Sequence, residues 1–309
     1  MQVSQPSDVQ VELAAELTTL GGGMSGAEIR AEFAAGRMRR EWSVVATDDG
    51  GTVIGRAMWW GRDARAPIAL DVWDVHPRAA ERPVIAAALL EHGHTNLARE
   101  GVATPLPHTV RVPTSWRAQP DLVAEVELKT RGAAVAGLTR ANERWQYQWD
   151  AGRPLPPEPA GLVFEPADDA AFVEVIAQAA AGSLDVMTQR ELASVPAREL
   201  ALAEIDYYRS CPGERSWWRL ARDTEGAIVG LAIPSATPTS RNVGYLAVLP
   251  AHRGKGYVDR LLAYITRFHA EQGAPRITAT TDAVNAPMAA AFERAGYSRT
   301  ETRIDLEAP

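Results

Sequence analysis

Apolar positions in the second half of the chain change period in a fixed order. Leu162-Val163-Phe164 is a short run of strand formers. Residues 168–181 repeat at helical spacing, with Asp168 or Asp169 placed to accept amide hydrogens at the start. Residues 185–209 are broadly helical and amphipathic. Apolar runs on either side of Asp223-Thr224-Glu225-Gly226 predict a β-hairpin. Residues 243–249 form a strand that stops at Pro250. A helix over 257–272 carries Val258, Leu261, Leu262, Ile265 and Phe268 on one face. A strand over 276–281 follows, then a helix over 287–295 stopped by Gly296, then a last strand over 297–306. Interleaved strands and helices predict an α/β (α+β) fold: a sheet with helices packed on it.

The first half repeats this pattern. Glu41-Trp42-Ser43-Val44-Val45-Ala46-Thr47-Asp48-Asp49-Gly50-Gly51-Thr52-Val53-Ile54-Gly55 aligns without gaps on residues 216–230. Trp42, Ala46, Asp48, Gly51 and Gly55 meet Trp217, Ala221, Asp223, Gly226 and Gly230. Each copy continues into an apolar strand ending in proline, at Pro77 and Pro250, and then a helix. The shared order of elements argues for duplication. Gly152-Arg153-Pro154-Leu155-Pro156-Pro157-Glu158-Pro159-Ala160-Gly161 lies between the halves, and its prolines favour extended backbone. The expected partition is therefore a domain over 1–150, a Pro-rich linker over 151–160 and a domain over 161–309.

Composition narrows the function classes. Lys and Arg number 32 against 39 Asp and Glu, a net charge of −7, which argues against an extended nucleic-acid surface. The single cysteine, Cys211, excludes an intrachain disulfide and a cysteine-rich zinc site. The amino terminus lacks the pattern of a signal peptide, and no apolar run approaches the ~20 residues of a membrane span. These features predict a cytoplasmic protein with no membrane or nucleic-acid partner, as monomer or homodimer. Seven of the nine tryptophans precede the linker. Core packing is the expected role, with an aromatic acceptor wall lent to the second half as the sharper alternative.

Candidate chemistry concentrates in Tyr245-Leu246-Ala247-Val248-Leu249-Pro250-Ala251-His252-Arg253-Gly254-Lys255-Gly256-Tyr257-Val258. A strand runs through a Gly-rich basic loop into a helix. Amides at a helix start bind phosphate, and glycines let it approach the backbone. A Walker A loop would need Ser or Thr after Lys255, where Gly256 stands. A dinucleotide fingerprint would need a third glycine, where Asp259 stands.

Arg253-Gly254-Lys255-Gly256-Tyr257-Val258 resembles the Gln/Arg-x-x-Gly-x-Gly/Ala motif of the GCN5-related N-acetyltransferase (GNAT) superfamily, with Val258 in place of the small last residue. Asn285-Ala286-Pro287-Met288 and Phe292-Glu293-Arg294-Ala295-Gly296-Tyr297 resemble its second motif. The likeness covers about residues 161–309. The first half resembles the same fold with the loop erased. After Val75-His76-Pro77 no glycine follows, Glu81 brings negative charge and Pro83 removes a donor. The chain is thus similar to tandem GNAT proteins, in which each domain is a mixed, mostly antiparallel twisted sheet flanked by helices, here with a degenerate first copy.

The resemblance implies an acetyl-CoA-dependent N-acetyltransferase acting on the primary amine of a small molecule, by direct attack in a ternary complex and without a metal. Leu246, Ala247 and Val248 would pair with the pantetheine arm and polarise the thioester. Residues Arg253, Gly254, Lys255, Gly256, Tyr257 and Val258 would hold the pyrophosphate, and Asn285 would contact the cofactor. Phe292 stands where many members place a tyrosine acid, so Tyr245 or Tyr297 is the candidate substitute. Asp282, or Tyr245 with water, is the candidate base. Glu191, Asp206, Tyr207 and Tyr208 fall in the region of the acceptor wall. A non-catalytic acyl-CoA-binding module, or transfer of a different acyl group, are the alternatives.

Overall fold

The computed structural model describes residues 1–309 and resolves into two compact units, residues 1–143 with 301–309 and residues 144–300. The first unit opens with strand β1 (Gln2–Ser4) and helices α1 (Asp8–Ala15) and α2 (Gly26–Ala34). Strands β2 (Met38–Thr47), β3 (Val53–Trp60) and β4 (Ala69–Val75) follow, then α3 (Arg82–Arg99), β5 (His108–Val112) and α4 (Pro120–Val135). Strand β6 (Arg140–Asp150) leads out of it. The second unit repeats the plan: β7 (Val163–Glu165), α5 (Asp169–Ala180), α6 (Val186–Leu192), α7 (Ala197–Ser210), β8 (Arg219–Arg222), β9 (Ile228–Ala236), β10 (Arg241–Val248), α8 (Tyr257–Glu271), β11 (Arg276–Asp282) and α9 (Ala286–Arg294), after which β12 (Ser298–Glu307) returns to the first unit. No helix is long and apolar enough to cross a membrane.

The hairpins that betrayed the repeat have one turn geometry. Asp48 Oδ1 accepts hydrogen bonds from the amides of Gly50 and Thr52, each at 2.9 Å. Asp223 Oδ1 accepts from Glu225 and Ala227 at 3.0 and 2.9 Å. Gly51 and Gly226 turn the chain at φ 81° and 86°, conformations that glycine adopts without strain. Local details differ from the sequence expectation. Residues 185–209, expected to be broadly helical, form two helices, because Pro196 lacks an amide hydrogen and the break falls at residues 193–196. Trp217 ends a single 3₁₀ turn and precedes the hairpin strand.

The expected linear partition is corrected by the sheets. The first unit orders its strands β1-β2-β3-β4-β5-β12 and the second β7-β8-β9-β10-β11-β6. The chain's last strand pairs antiparallel with β5, from Thr302↔Val112 to Leu306↔His108. Strand β6, written in the first half, pairs antiparallel with β11 from Arg276↔Asp150 to Asp282↔Arg144. Each sixth strand is therefore exchanged. The Pro-rich stretch lies within the second unit, held by Arg153 Nη1 donating to Gly296 O at 2.7 Å and Arg267 Nη1 to Pro156 O at 3.1 Å.

Helices cover both faces of each sheet. In the first unit α3 and α4 pack on a core containing Trp59, Trp73, Leu89, Leu90 and the exchanged Ile304 and Leu306. The other face buries Ala14, Ile29, Met38 and Met58 under α1 and α2. Gly93 of α3 is the notch for Trp59, since a Cβ there would meet Trp59 Cη2 at 2.0 Å. In the second unit α8 and α9 cover Tyr147, Trp149, Ile265, Ile277 and Phe292, while α5 and α7 cover Phe172, Ile205, Trp218 and Ile233.

Candidate functional site

Strand β10 shapes the site by leaving one neighbour. Against β9 it stays paired, from Tyr245↔Ile233 to Val248↔Gly230. Against the parallel strand β11 it pairs only at Arg241↔Ile277 and Asn242↔Thr278. The parting begins at a bulge where the register shifts between Asn242 and Tyr245. Gly244 sits there at φ +69°, and a Cβ would lie 2.2 Å from Ile233 O, so glycine alone fits. Asn242 Oδ1 fixes the bulge by accepting from Gly244 N at 2.7 Å. Beyond it Tyr245, Leu246, Ala247 and Val248 line a cavity of about 770 Å³.

The chain then turns through Pro250–His252 and the Gly-rich loop into α8. Gly254 and Gly256 adopt φ +77° and +75°, and open space surrounds the position of a Cβ at each. Gly256 caps α8 without a side-chain bond, so the first amides of a 15-residue helix carry no capping side chain. His252, Arg253, Gly254, Gly256, Tyr257 and Val258 all line the cavity, as do Asn285 and Phe292. Asn285 Oδ1 accepts from Met288 N at 3.3 Å and so caps α9.

Several expected roles change in the structure. The Arg253 guanidinium donates to the carbonyls of Ala179 (2.7 Å), Ala181 (3.0 Å), Gly182 (2.8 Å) and Val248 (3.2 Å). It therefore satisfies carbonyls left open at the end of α5 and pins the loop that leads to α6. Lys255 is exposed and lies outside the cavity wall. Asp282 is 1% exposed and does not line the cavity. Its carboxylate accepts from Val186 N at 2.6 Å and meets Arg144 Nε at 3.2 Å, so it braces α6 from the end of β11. Tyr297 is buried outside the cavity, with its hydroxyl 2.8 Å from Thr266 Oγ1. Phe292 stacks on Tyr147 at 5.0 Å and leans on Tyr297 at 5.2 Å. No tryptophan lines the cavity, and Trp149 lies in the core, which removes the aromatic-wall alternative.

The far wall of the cavity is acidic and phenolic. Asp185, Thr188, Tyr208 and Tyr245 line it. Glu204 lies one helical turn before Tyr208 on the stripe of α7 formed with Leu200, Ala201 and Ile205. Burial, reinforced by the carboxylates of Glu191 and Asp185, pushes Glu204 up to about 7. Burial, with Glu204 nearby, also raises Tyr208 and Tyr245, so both phenols keep their protons. A neutral phenol donates a hydrogen bond but does not accept the proton of an ammonium, which removes Tyr245 as the base. Sequence reading passed over Glu204 and Asp185. A glutamate within an apolar helical stripe was the available signal for Glu204. Arg144 was not legible as a site residue, because β6 reaches this unit by strand exchange.

Residues 186–297 match the model of the Acetyltransferase (GNAT) family. The chain superposes on a GCN5-related N-acetyltransferase from Sphaerobacter thermophilus with a TM-score of 0.60, at 17% identity over 98% of this chain and 94% of that one. An acetyltransferase of the GNAT family from Colwellia psychrerythraea gives 0.47 at 12% identity over 100% of both chains. A tandem GNAT protein from the clavulanic acid biosynthesis pathway gives 0.43 at 18% identity, over 100% of this chain and 99% of that one. These two superpositions are too loose to carry weight. No curated protein sequence matches the chain significantly. The second unit has the fold of an acetyltransferase-type domain, and the first unit repeats its order of elements. Residues 186–297, about a third of the chain, carry the sequence pattern of the GNAT family, and the chain as a whole is similar in fold to a GCN5-related N-acetyltransferase.

Proposed function

We propose that the protein transfers an acetyl group from acetyl-CoA to the primary amine of a small molecule, by direct attack in a ternary complex. One observation carries this reading. A single cavity runs from the free edge of β10, past the glycines at the start of α8, to the acidic wall of α6 and α7. The residues fit the cofactor, because Gly254 and Gly256 leave open the space that side chains would fill. Their backbone, with the start of α8, holds the pyrophosphate, and Lys255 adds charge at the rim.

Leu246, Ala247 and Val248 present their unpaired edge to the pantetheine arm. A β10 amide donates to the carbonyl oxygen as it gains charge, an interaction worth roughly 3 kcal/mol in comparable sites. Glu204, one helical turn behind the cavity-lining Tyr208, receives through water the proton that the ammonium loses before attack; burial raises its carboxyl to about 7, which suits that task at neutral pH. Tyr245, protonated and facing the cavity, is placed to donate to the departing thiolate, a task that Phe292 cannot perform. The sulfur–carbon bond breaks as the nitrogen–carbon bond forms, leaving CoA thiol and an amide.

Incubation with acetyl-CoA and a panel of primary amines tests the reading. Free thiol and acetylated amine, counted by mass spectrometry, are expected in equal amounts. Failure of acetyl-CoA to bind would contradict it. The apolar stacking of Phe292 favours a second reading, a non-catalytic acyl-CoA-binding module. Tight binding without thiol release across the panel would select that reading.

A further inference from the structure

The segment from the end of α5 into α6 is tied to both of the strands that part. On the β10 side the tie is Arg253. Its Nε donates to Val248 O, the last carbonyl of β10, at 3.2 Å. Its Nη2 donates to Ala179 O at 2.7 Å, and Nη1 to Ala181 O and Gly182 O at 3.0 and 2.8 Å. On the β11 side the tie is Asp282, the last residue of that strand, which accepts from Val186 N at 2.6 Å. Between these anchors the segment is braced by its own bonds. Asp185 N donates to Ser183 Oγ at 3.1 Å, Gln189 Nε2 to Ser183 O at 2.7 Å, and Thr188 N to Asp185 Oδ1 at 2.8 Å. A second feature shows that the segment is shaped to the guanidinium. Gly182 stands at φ +63°, and a Cβ there would lie 3.2 Å from Arg253 Nη1. Gly182, Ser183, Leu184, Asp185 and Thr188 all line the cavity.

Arg253 directly precedes Gly254 and so belongs to the loop proposed to receive the pyrophosphate. All three of its side-chain nitrogens donate to carbonyls, on two different elements. Whatever fixes the loop therefore fixes the carbonyls of residues 179–182, and the coupling runs equally in both directions. Resting on the proposed use of CoA, we infer that Arg253 is a positioning residue. It passes the order that CoA imposes on the loop to residues 181–188, the wall beside the acceptor, and it does not bind phosphate through its guanidinium. Charge alone cannot serve this role. A lysine ammonium is a compact point on a flexible stem, whereas the planar fork of arginine reaches the end of β10 and the end of α5 together.

The test is amide hydrogen exchange of the intact chain with and without saturating CoA, read by mass spectrometry, alongside calorimetric titration of CoA. In the wild type CoA should slow exchange at residues 254–258 and also at 181–188, the latter by about fivefold or more. Arg253→Lys should keep CoA affinity within about threefold and keep the slowing at 254–258, while the effect of CoA at 181–188 falls to about twofold or less. Should that variant fail to fold, Gly182→Ala displaces the bent segment, leaves the guanidinium in place, and should show the same loss. Faster exchange at 181–188 that CoA still slows by the wild-type factor would mark a local brace only and overturn the inference. A loss of CoA affinity of about a hundredfold in Arg253→Met, restored by Arg253→Lys, would make the guanidinium a phosphate ligand and overturn it as well. Exchange at 254–258 separates the two failures. No slowing there in the wild type speaks against the proposed function, whereas slowing there with 181–188 unchanged speaks against the role of Arg253 alone.

Discussion

The two units part the same pair of strands and use the gap in opposite ways. In the second unit β10 leaves β11 after two paired positions, and a cavity of about 770 Å³ opens. In the first, β4 touches the parallel strand β5 only at Leu70↔His108, yet the space left is about 20 Å³. Side chains close it. Trp73 is 1% exposed and fits against α4, where a Cβ on Gly132 would meet its ring at 2.8 Å. Asp74 accepts from Arg56 Nη2 and Lys129 Nζ, each at 2.9 Å, and Glu125 reaches both Lys129 and Arg82. Burial opposes ionisation of Asp74, but Lys129 and Arg56 outweigh it and hold the carboxyl at about 2. This repeated frame thus leaves a gap between its parted strands. In the first unit the protein's own charged side chains occupy the gap, and in the second it stays open as a cavity.

The loops tell the same story. Glu81 caps α3 at φ +53°, the left-handed conformation that Gly256 adopts at the head of α8 with φ +75°. The first unit keeps the backbone turn after losing the glycine that made it easy, and Pro83 near the head of the helix withholds one amide.

Four substitutions would break or sharpen this contrast. The largest effect is expected from Asp74→Ala, which strands Arg56 and Lys129 in the interior. Denaturant unfolding should show a loss of about 3–5 kcal/mol, with acetyl-CoA affinity unchanged. Gly256→Glu writes the first unit's residue into the second unit's loop and should weaken acetyl-CoA binding by about a hundredfold or more, read by calorimetry. Glu204→Gln tests the acidic wall through pH. The folded-state value of Glu204 is raised from 4.5 to about 7, so its contribution to stability is full below 4.5 and is lost as pH rises through 7. The wild type should lose about 2 kcal/mol more than the variant between pH 5 and pH 9, discounted for partial exposure. Parallel pH profiles of the two proteins would remove Glu204 as a buried titrating group. The smallest effect belongs to Glu81→Gly, which should stabilise the first unit by about 1 kcal/mol by relieving the left-handed turn, without creating a second cofactor site.

Local chemistry was legible in the sequence, and pairing across the chain was not. Asp48 and Asp223 predicted their turns because the contacts span only a few residues. The loop glycines were readable because φ > 0 leaves few other residues. Strand exchange was hidden, since the pattern of β6 or β12 marks a strand without naming its neighbour. That concealed Arg144, and with it the bracing role of Asp282, which had looked like a base at a strand end. Arg253 misled for a related reason: its charge was evident, but the carbonyls it satisfies lie over 70 residues away along the chain for three of its four bonds. Glu204 was legible from the stripe Leu200, Ala201, Ile205 and Tyr208, where a glutamate interrupts an otherwise buried face.

The contrast between the open and the filled cleft is tested most directly by the stoichiometry of acetyl-CoA binding. Isothermal titration of the intact chain should give one site per chain, abolished by Gly256→Glu and untouched by Glu81→Gly. Two sites per chain, or one site that survives Gly256→Glu, would contradict the account.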